Sequence, residues 1–215
     1  DLHSFPTRRS SDLEPGLLRA IRTNYILSFD TDQQTDFSWK DVVRLFSVDP
    51  EAAAIHGNDI ASSVKYLVAD TKNLNSSKVL VTKARENARG VQDYITKEVW
   101  EQVNQLYHII NHTGIEEKIE GSHLLDVIDL LDQNSILFYG VIDSTMPRGQ
   151  GWQFLNLGKF IERCMLTIDT TLAHSQKIDH RLDIPKDILF WRNLLLSLSD
   201  RKSTRLNSSH RTGSR

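Results

Sequence analysis

The 215-residue chain has little of several features that define whole classes of protein. It contains one cysteine, Cys164, which excludes a disulfide framework and any zinc or iron–sulfur site that needs several thiolates. No apolar run approaches the ~20 residues that a membrane helix needs, and the amino terminus lacks the basic and then apolar pattern of a signal peptide. These absences predict a cytoplasmic protein with no membrane span.

Both ends differ in character from the middle of the chain, because serine and arginine are crowded there without helical or strand periodicity. Residues 1–12 and 200–210 also back-translate to the DNA of common short-read sequencing adapters. We therefore interpret 1–13 and 200–215 as adapter-derived, disordered tails, and 14–199 as a partial domain. A domain cut at both ends should expose apolar patches on the helices next to the cuts.

The charge balance argues against nucleic acid as a partner. The whole chain carries 26 basic and 28 acidic residues, and the two flanks account for seven and three of these. The remaining 19 basic and 25 acidic residues give residues 14–199 a net charge of −6. Binding to a phosphate backbone needs clustered lysine and arginine, so we expect no nucleic-acid partner.

The middle of the chain predicts helices throughout, because apolar residues recur every three or four positions and no stretch alternates with a period of two. The longest apolar stripe runs over 79–110, and Asn75-Ser76-Ser77 ahead of it are residues that commonly cap a helix. Gly90 and Thr96 mark where this helix could bend or break, and Gly114 is a plausible terminating residue after it. We predict an all-α, antiparallel bundle of long amphipathic helices, truncated at both ends. The predicted helices span 37–46, 49–68 with a pause at 57–59, 79–110, 124–146, 150–174 and 185–198.

His108 and His112 are four residues apart, which is the spacing of two metal ligands on one helix face. A third ligand could come from His123, Glu116 or Glu117, but no pattern places one of them nearby. Histidines near a helix C-terminus are also favoured by the helix dipole alone. We therefore predict no metal site and no cofactor, with His108 and His112 as the weak alternative.

Charged residues interrupt two of the apolar stripes. Arg85, Glu86 and Arg89 lie in the first, and Glu162 and Arg163 lie in the last. One interpretation is an ion-pair network between helices, such as Arg85 or Arg89 with Glu162, since an unpaired buried charge is destabilising. The alternatives are an anion-binding groove that uses the planar arginine forks, or plain solvent-exposed faces.

Arg148 lies in a turn with two glycines ahead of a helix, which is a weak match to a phosphate-binding loop because no P-loop lysine follows. A turn followed by a helix-anchoring Trp152 is the simpler interpretation. Cys164 lies among apolar neighbours, and we expect it to be a small buried side chain. We expect the same of the aromatic residues at helical spacings, which are Trp100, Tyr107, Phe138, Tyr139, Trp152, Phe154 and Phe160.

Two separated segments resemble the bacterial alpha-E domain family: ARENARGVQDYITKEVWEQVNQLY at 84–107, and DSTMPRGQGWQFLNLGKFIERCMLT at 143–167. The resemblance extends over about 84–172, and Leu67 to Ser77 also fits. Cys164-Met165 departs from the family, which usually has alanine and often an acid after Glu-Arg, so no role for that acid is carried over. The family's amino-terminal helix is also absent, which fits a truncated domain.

The resemblance implies an all-α domain encoded in bacteria beside ATP-grasp and transglutaminase-like proteins, and hence a part in forming or processing peptide or amide bonds. Because the sequence has no recognisable catalytic constellation, it favours a non-catalytic helical partner of such proteins. The alternative is a cryptic enzyme, or a bundle that binds an anionic ligand through Arg85, Arg89, Glu162 and Arg163.

Overall fold

The computed structural model describes residues 13–29, 38–112, 114–121 and 123–176. Within these ranges the chain is helical and has no strand, which confirms the all-α prediction. The helices are α1 (Leu13–Leu27), α2 (Trp39–Phe46), α3 (Ala52–His56), α4 (Ile60–Val68), α5 (Ser77–Gly90), α6 (Lys97–Ile110), α7 (Ile115–Glu120), α8 (Leu124–Thr145) and α9 (Gln150–Ser175).

The punctuation predicted from the sequence decides where several helices begin and end. The Ser76 hydroxyl accepts a hydrogen bond from the Val79 amide at 3.4 Å, and the Thr96 hydroxyl caps α6 in the same way. The predicted break between Gly90 and Thr96 is confirmed, with a short 3-10 helix between α5 and α6. The predicted pause at 57–59 is confirmed too, because the Asp59 carboxylate caps α4 by accepting from the Ser62 amide at 2.8 Å.

Helix α6 ends at Ile110, where the predicted span 79–110 also ends, and Gly114 beyond it adopts a left-handed φ of 98° at the start of α7. The start of α2 differs from the predicted span 37–46. The first helical residue of α2 is Trp39. Ser38 caps this helix, and its amide donates a hydrogen bond to the Asp41 carboxylate at 2.7 Å. The helix predicted at 185–198, the disordered tails and the domain boundaries lie outside the described residues or are not tested by them.

A main apolar core joins α1 to α8, with α1 and α6 both packed against α8 and α5 packed against α6. A smaller cluster of Val99, Ile142 and Met146 lies where the start of α6 meets the end of α8, and Trp152 and Leu155 of α9 pack on it. The Thr96 and Thr145 hydroxyls are hydrogen-bonded there at 2.8 Å. The fully antiparallel arrangement stays a prediction.

Helix α9 packs against α1 and α2. Gly16 of α1 leaves room for Leu166, because a Cβ at that glycine would collide with the leucine side chain. Among the described residues, no helix combines the length and the apolar character required to cross a membrane.

Candidate functional site

Arg85 is held between α5 and α6 by three side chains of α6. Its Nε donates a hydrogen bond to Asn104 Oδ1 at 2.7 Å. Its guanidinium carbon lies 4.5 Å from the centre of the Tyr107 ring and 5.9 Å from that of Trp100. All four side chains are half-buried, so the guanidinium has a fixed plane and two aromatic neighbours. We call these four residues the Arg85 cluster.

The sequence builds this cluster through helical spacing. Trp100, Asn104 and Tyr107 are separated by four and three residues and therefore share one face of α6. Asn104 Nδ2 donates to the Trp100 carbonyl at 2.8 Å, which orients the amide oxygen of Asn104 toward Arg85. The sequence analysis singled out Arg85, and named Trp100 and Tyr107 only as expected core aromatics; it did not predict that they and Asn104 meet Arg85, because a match between two helices is not visible in the spacing within either one.

The Arg85 cluster contains no carboxylate. Within the described ranges no acidic side chain lies within 4.0 Å of the Arg85 guanidinium. The predicted pairing of Arg85 with Glu162 is therefore not what the structure shows: the partner of Arg85 is the neutral amide of Asn104. Glu86 and Arg89 flank the cluster on α5, and both are exposed to solvent.

Arg148 lies in the turn between α8 and α9, and its contacts are structural. Its guanidinium lies 4.2 Å from the centre of the Trp152 ring. Its Nη2 donates to the Asp143 carbonyl at 3.1 Å, and its Nη1 lies 3.6 Å from the Asp143 carboxylate. This geometry favours the turn and helix anchor over the phosphate-loop interpretation.

Glu162 and Arg163 are consecutive on α9 and face different environments. The Glu162 side chain belongs to the inner face of α9 and is only 4% exposed, whereas Arg163 is exposed to solvent. A step of one residue turns a helix by about 100°, which accounts for the contrast. Glu162 and Arg163 therefore lie on different sides of α9, and a common Arg/Glu pocket with Arg85 and Arg89 stays a prediction.

The opposite face of α9 is apolar and exposed. Leu157, Ile161, Met165, Ile168 and Leu172 are separated by four, four, three and four residues and form one line along the helix. We call them the outer stripe. Ile161 is half-buried and the other four are about half exposed, from 49% at Met165 to 58% at Ile168. Phe160 adjoins the outer stripe and is 60% exposed.

The outer face of α9 corrects two expectations. Cys164 was expected to be buried, but it is exposed beside the outer stripe because that side of α9 faces away from α1 and α2. The expectation of burial was also wrong for Phe154 and Phe160, for the same reason. The prediction of exposed apolar patches concerned the helices next to the two cuts, and the helix predicted at 185–198 lies outside the described residues, so the outer stripe of α9 is a separate finding.

The two histidines do not form a metal centre with their neighbours. His108 is exposed on α6, whereas His112 lies beyond the end of that helix. No group of three or more His, Cys, Asp or Glu side chains that could hold a metal ion occurs in the part of the chain that the structure describes. His112 instead borders a pocket of about 240 Å³ between α6, α7 and α8, lined mainly by carbon atoms of Ile109, Ile115 and Leu131.

In the part of the chain that the structure describes, the fold and these sites define an all-helical domain with a half-buried arginine cluster and an exposed apolar face on α9. The family model that matches residues 15–211 is Alpha-E, described as a predicted alpha-helical domain with a conserved ER motif. The chain belongs to this family. Glu162-Arg163 is the one Glu-Arg dipeptide in the sequence. No curated protein and no solved structure matches the chain.

Proposed function

We propose that this domain is a non-catalytic helical partner that docks, through the outer stripe of α9, on an ATP-grasp or transglutaminase-like protein acting on peptide or amide bonds. The observation that carries the proposal is the outer stripe, five apolar side chains in line along a helix whose other face is packed on the domain. The choice of partner rests on the family resemblance in 84–107 and 143–167. We further propose that the domain works in the bacterial cytoplasm and without nucleic acid.

The size of the outer stripe supports a docking role. At roughly 150 Å² for a large apolar side chain, half exposure of the outer stripe together with Phe160 leaves about 450 Å² of apolar surface in contact with water. The largest apolar patch on a soluble monomer is about 300–600 Å² and is often functional. A patch of this size is large enough to form the centre of a protein interface.

The shape of the surface fits a partner helix. The positions that flank the outer stripe include Gly158, Cys164 and Thr171, which are small and uncharged. Small flanking side chains let a second helix approach closely, so that its ridges can enter the grooves of α9. Arg163, a basic residue of α9, lies on a different side of the helix from the outer stripe. It would therefore border the interface rather than be buried in it.

Affinity measurements with the purified ATP-grasp and transglutaminase-like proteins encoded beside the domain test the proposal. In the double variant Leu157→Gln/Ile168→Gln, two side chains of the outer stripe become polar without loss of helix propensity. We expect at least a tenfold rise in Kd, equivalent to about 1.4 kcal/mol. The proposal fails if neither protein binds the wild-type domain, or if the double variant binds as tightly as wild type.

A matched control separates specific docking from general hydrophobic adhesion. Ile55 of α3 and Leu74, between α4 and α5, are 64% and 51% exposed and belong to other parts of the fold than α9. The double variant Ile55→Gln/Leu74→Gln removes the same amount of exposed apolar surface, and we expect its Kd to equal that of wild type. An equal loss of binding in both double variants would show non-specific adhesion and contradict the proposal.

A further inference from the structure

We propose that the Arg85 cluster is a binding site for a carboxylate group of a small molecule or peptide. The proposal does not depend on the outer stripe, which lies on a different helix. It rests on three features of the cluster: the fixed plane of the guanidinium, the absence of an acidic partner among the described residues and the charges that surround it.

The first feature is the fixed orientation of Arg85. The hydrogen bond from Nε to Asn104 Oδ1, at 2.7 Å, uses one of the five N–H donors and leaves the Nη1 and Nη2 pair. The Tyr107 ring, 4.5 Å from the guanidinium carbon, restrains the plane of the group. An arginine fork that is held in place before binding loses less conformational entropy for each hydrogen bond formed, and its geometry matches the two oxygens of a carboxylate.

The second feature is the missing counter-charge. Three other arginines of the described chain lie close to carboxylates: Arg22 at 2.8 Å from Asp129, Arg44 at 3.7 Å from Asp41 and Arg148 at 3.6 Å from Asp143. Those three arginines are exposed. Arg85 is half-buried, which makes its charge more costly to leave unmatched, yet its polar partner is a neutral amide. An incoming carboxylate would supply the charge that the cluster lacks.

The third feature is the local excess of positive charge along α5. Lys78 and Arg89 are seven residues before and four residues after Arg85, so all three lie on one side of the helix. Helix α5 carries four basic residues against one acid, Glu86, and on α6 Glu101 is already paired with Lys97 at 3.4 Å. This side of the two helices therefore attracts an anion, and the two aromatic rings offer an apolar surface for the body of the ligand.

A titration of the full chain with N-acetylglycine tests the proposal, with N-acetylglycinamide and inorganic phosphate as comparison probes. Calorimetry gives Kd, and the NMR resonances of the Arg85 Nε–H and the Trp100 indole report the location. We expect saturable binding of N-acetylglycine with shifts at both resonances, and at least tenfold weaker binding of the neutral amide. No saturable binding, or binding of phosphate but not of N-acetylglycine, would overturn the proposal.

Variants then assign the binding to the cluster. Arg85→Gln should weaken N-acetylglycine binding at least tenfold, and Arg85→Lys should recover only part of it, because lysine keeps the charge but lacks the fork. Arg148→Gln is the matched control, because Arg148 also lies on an aromatic ring but is close to the Asp143 carboxylate. We expect this variant to bind N-acetylglycine as tightly as wild type does. Equal binding by Arg85→Gln and wild type would refute the assignment.

Folding and docking are controlled separately. Arg85→Lys keeps the charge between α5 and α6, so it tests the fork even if Arg85→Gln lowers thermal stability. The outer-stripe variant Leu157→Gln/Ile168→Gln should bind N-acetylglycine as wild type does. Loss of acid binding in that variant would contradict the independence of the two sites, whereas loss of partner binding alone concerns only the proposed docking role.

Discussion

Ile128 of α8 and Ile168 of α9 are the same residue in two long helices, yet the first is fully buried and the second is 58% exposed. Helix α8 packs against α1, α6 and α7, and Ile128 lies on the side of α8 that joins the main core, whereas Leu130, Ile136 and Leu137 of the same helix are about half exposed. Helix α9 packs on α1 and α2 with one face and exposes another that is equally apolar. The difference shows that the apolar content of a helix face does not by itself determine whether that face is covered.

The strongest test of this comparison removes one isoleucine from each region. Ile128→Ala should lower the free energy of unfolding by about 2–5 kcal/mol, because it leaves a cavity among well-packed neighbours. Ile168→Ala should change it by no more than about 0.5 kcal/mol, as for most surface substitutions. Urea denaturation of both variants measures the contrast, and equal losses would show that the outer stripe is covered in solution.

Two glycines, Gly57 and Gly140, give a second comparison between a closely packed position and one with free space around it. A Cβ at Gly57 would lie 2.5 Å from the Ala53 carbonyl oxygen and 2.7 Å from Lys40 Cα, so α2 and α3 would have to move apart. We expect Gly57→Ala to cost about 1–3 kcal/mol, as for other overpacked sites.

Gly140, on the exposed side of α8, is the matched control, because a Cβ there meets no atom within 4 Å. Gly140→Ala should stabilise the protein by about 0.5–1 kcal/mol through the better helix propensity of alanine. Thermal unfolding of both variants measures these opposite changes in stability. A neutral Gly57→Ala would mean that the contact between α2 and α3 is looser than the structure shows.

The smallest expected effect concerns a surface charge cluster that ties α4 to α7. Hydrogen bonds to Glu120, at 2.7 Å, and to Glu116 raise the pKa of Lys65 above its ordinary value of 10.5. A raised pKa in the folded state adds stability below pH 10.5, and this stability is lost as the pH rises through the folded-state pKa.

Because the cluster is exposed to solvent, its contribution should be below about 1 kcal/mol. The difference in unfolding free energy between wild type and Lys65→Met should therefore be small at neutral pH and vanish in strongly alkaline buffer. A difference that grows with increasing pH would contradict the assignment.

The sequence predicts most of the helical order of the domain, because caps and breaks are local. Ser76, Asp59 and Thr96 each sit before a helix and accept a hydrogen bond from its first turn, as residues of their type commonly do. The spacing of apolar residues also locates α8 and α9 to within a residue or two.

The sites could be predicted only in part, because they depend on contacts between helices. The sequence singles out Arg85, but it does not reveal that Asn104 and Tyr107 meet it across the interface of α5 and α6. Likewise, periodicity marks Leu157 and Ile168 as apolar positions of a helix without showing which face of α9 packs on α1 and α2.

The outer stripe as a docking surface is the central claim, and the two methionines of the chain test it most directly. Met165 is 49% exposed within the outer stripe, and Met146 is 5% exposed in the small core cluster, where it serves as an internal reference. The measurement compares their rates of peroxide oxidation in the free domain and in the complex with the ATP-grasp or transglutaminase-like protein. We predict that complex formation slows oxidation of Met165 severalfold and leaves the slow oxidation of Met146 unchanged; an unchanged rate at Met165 in a fully formed complex would contradict the claim.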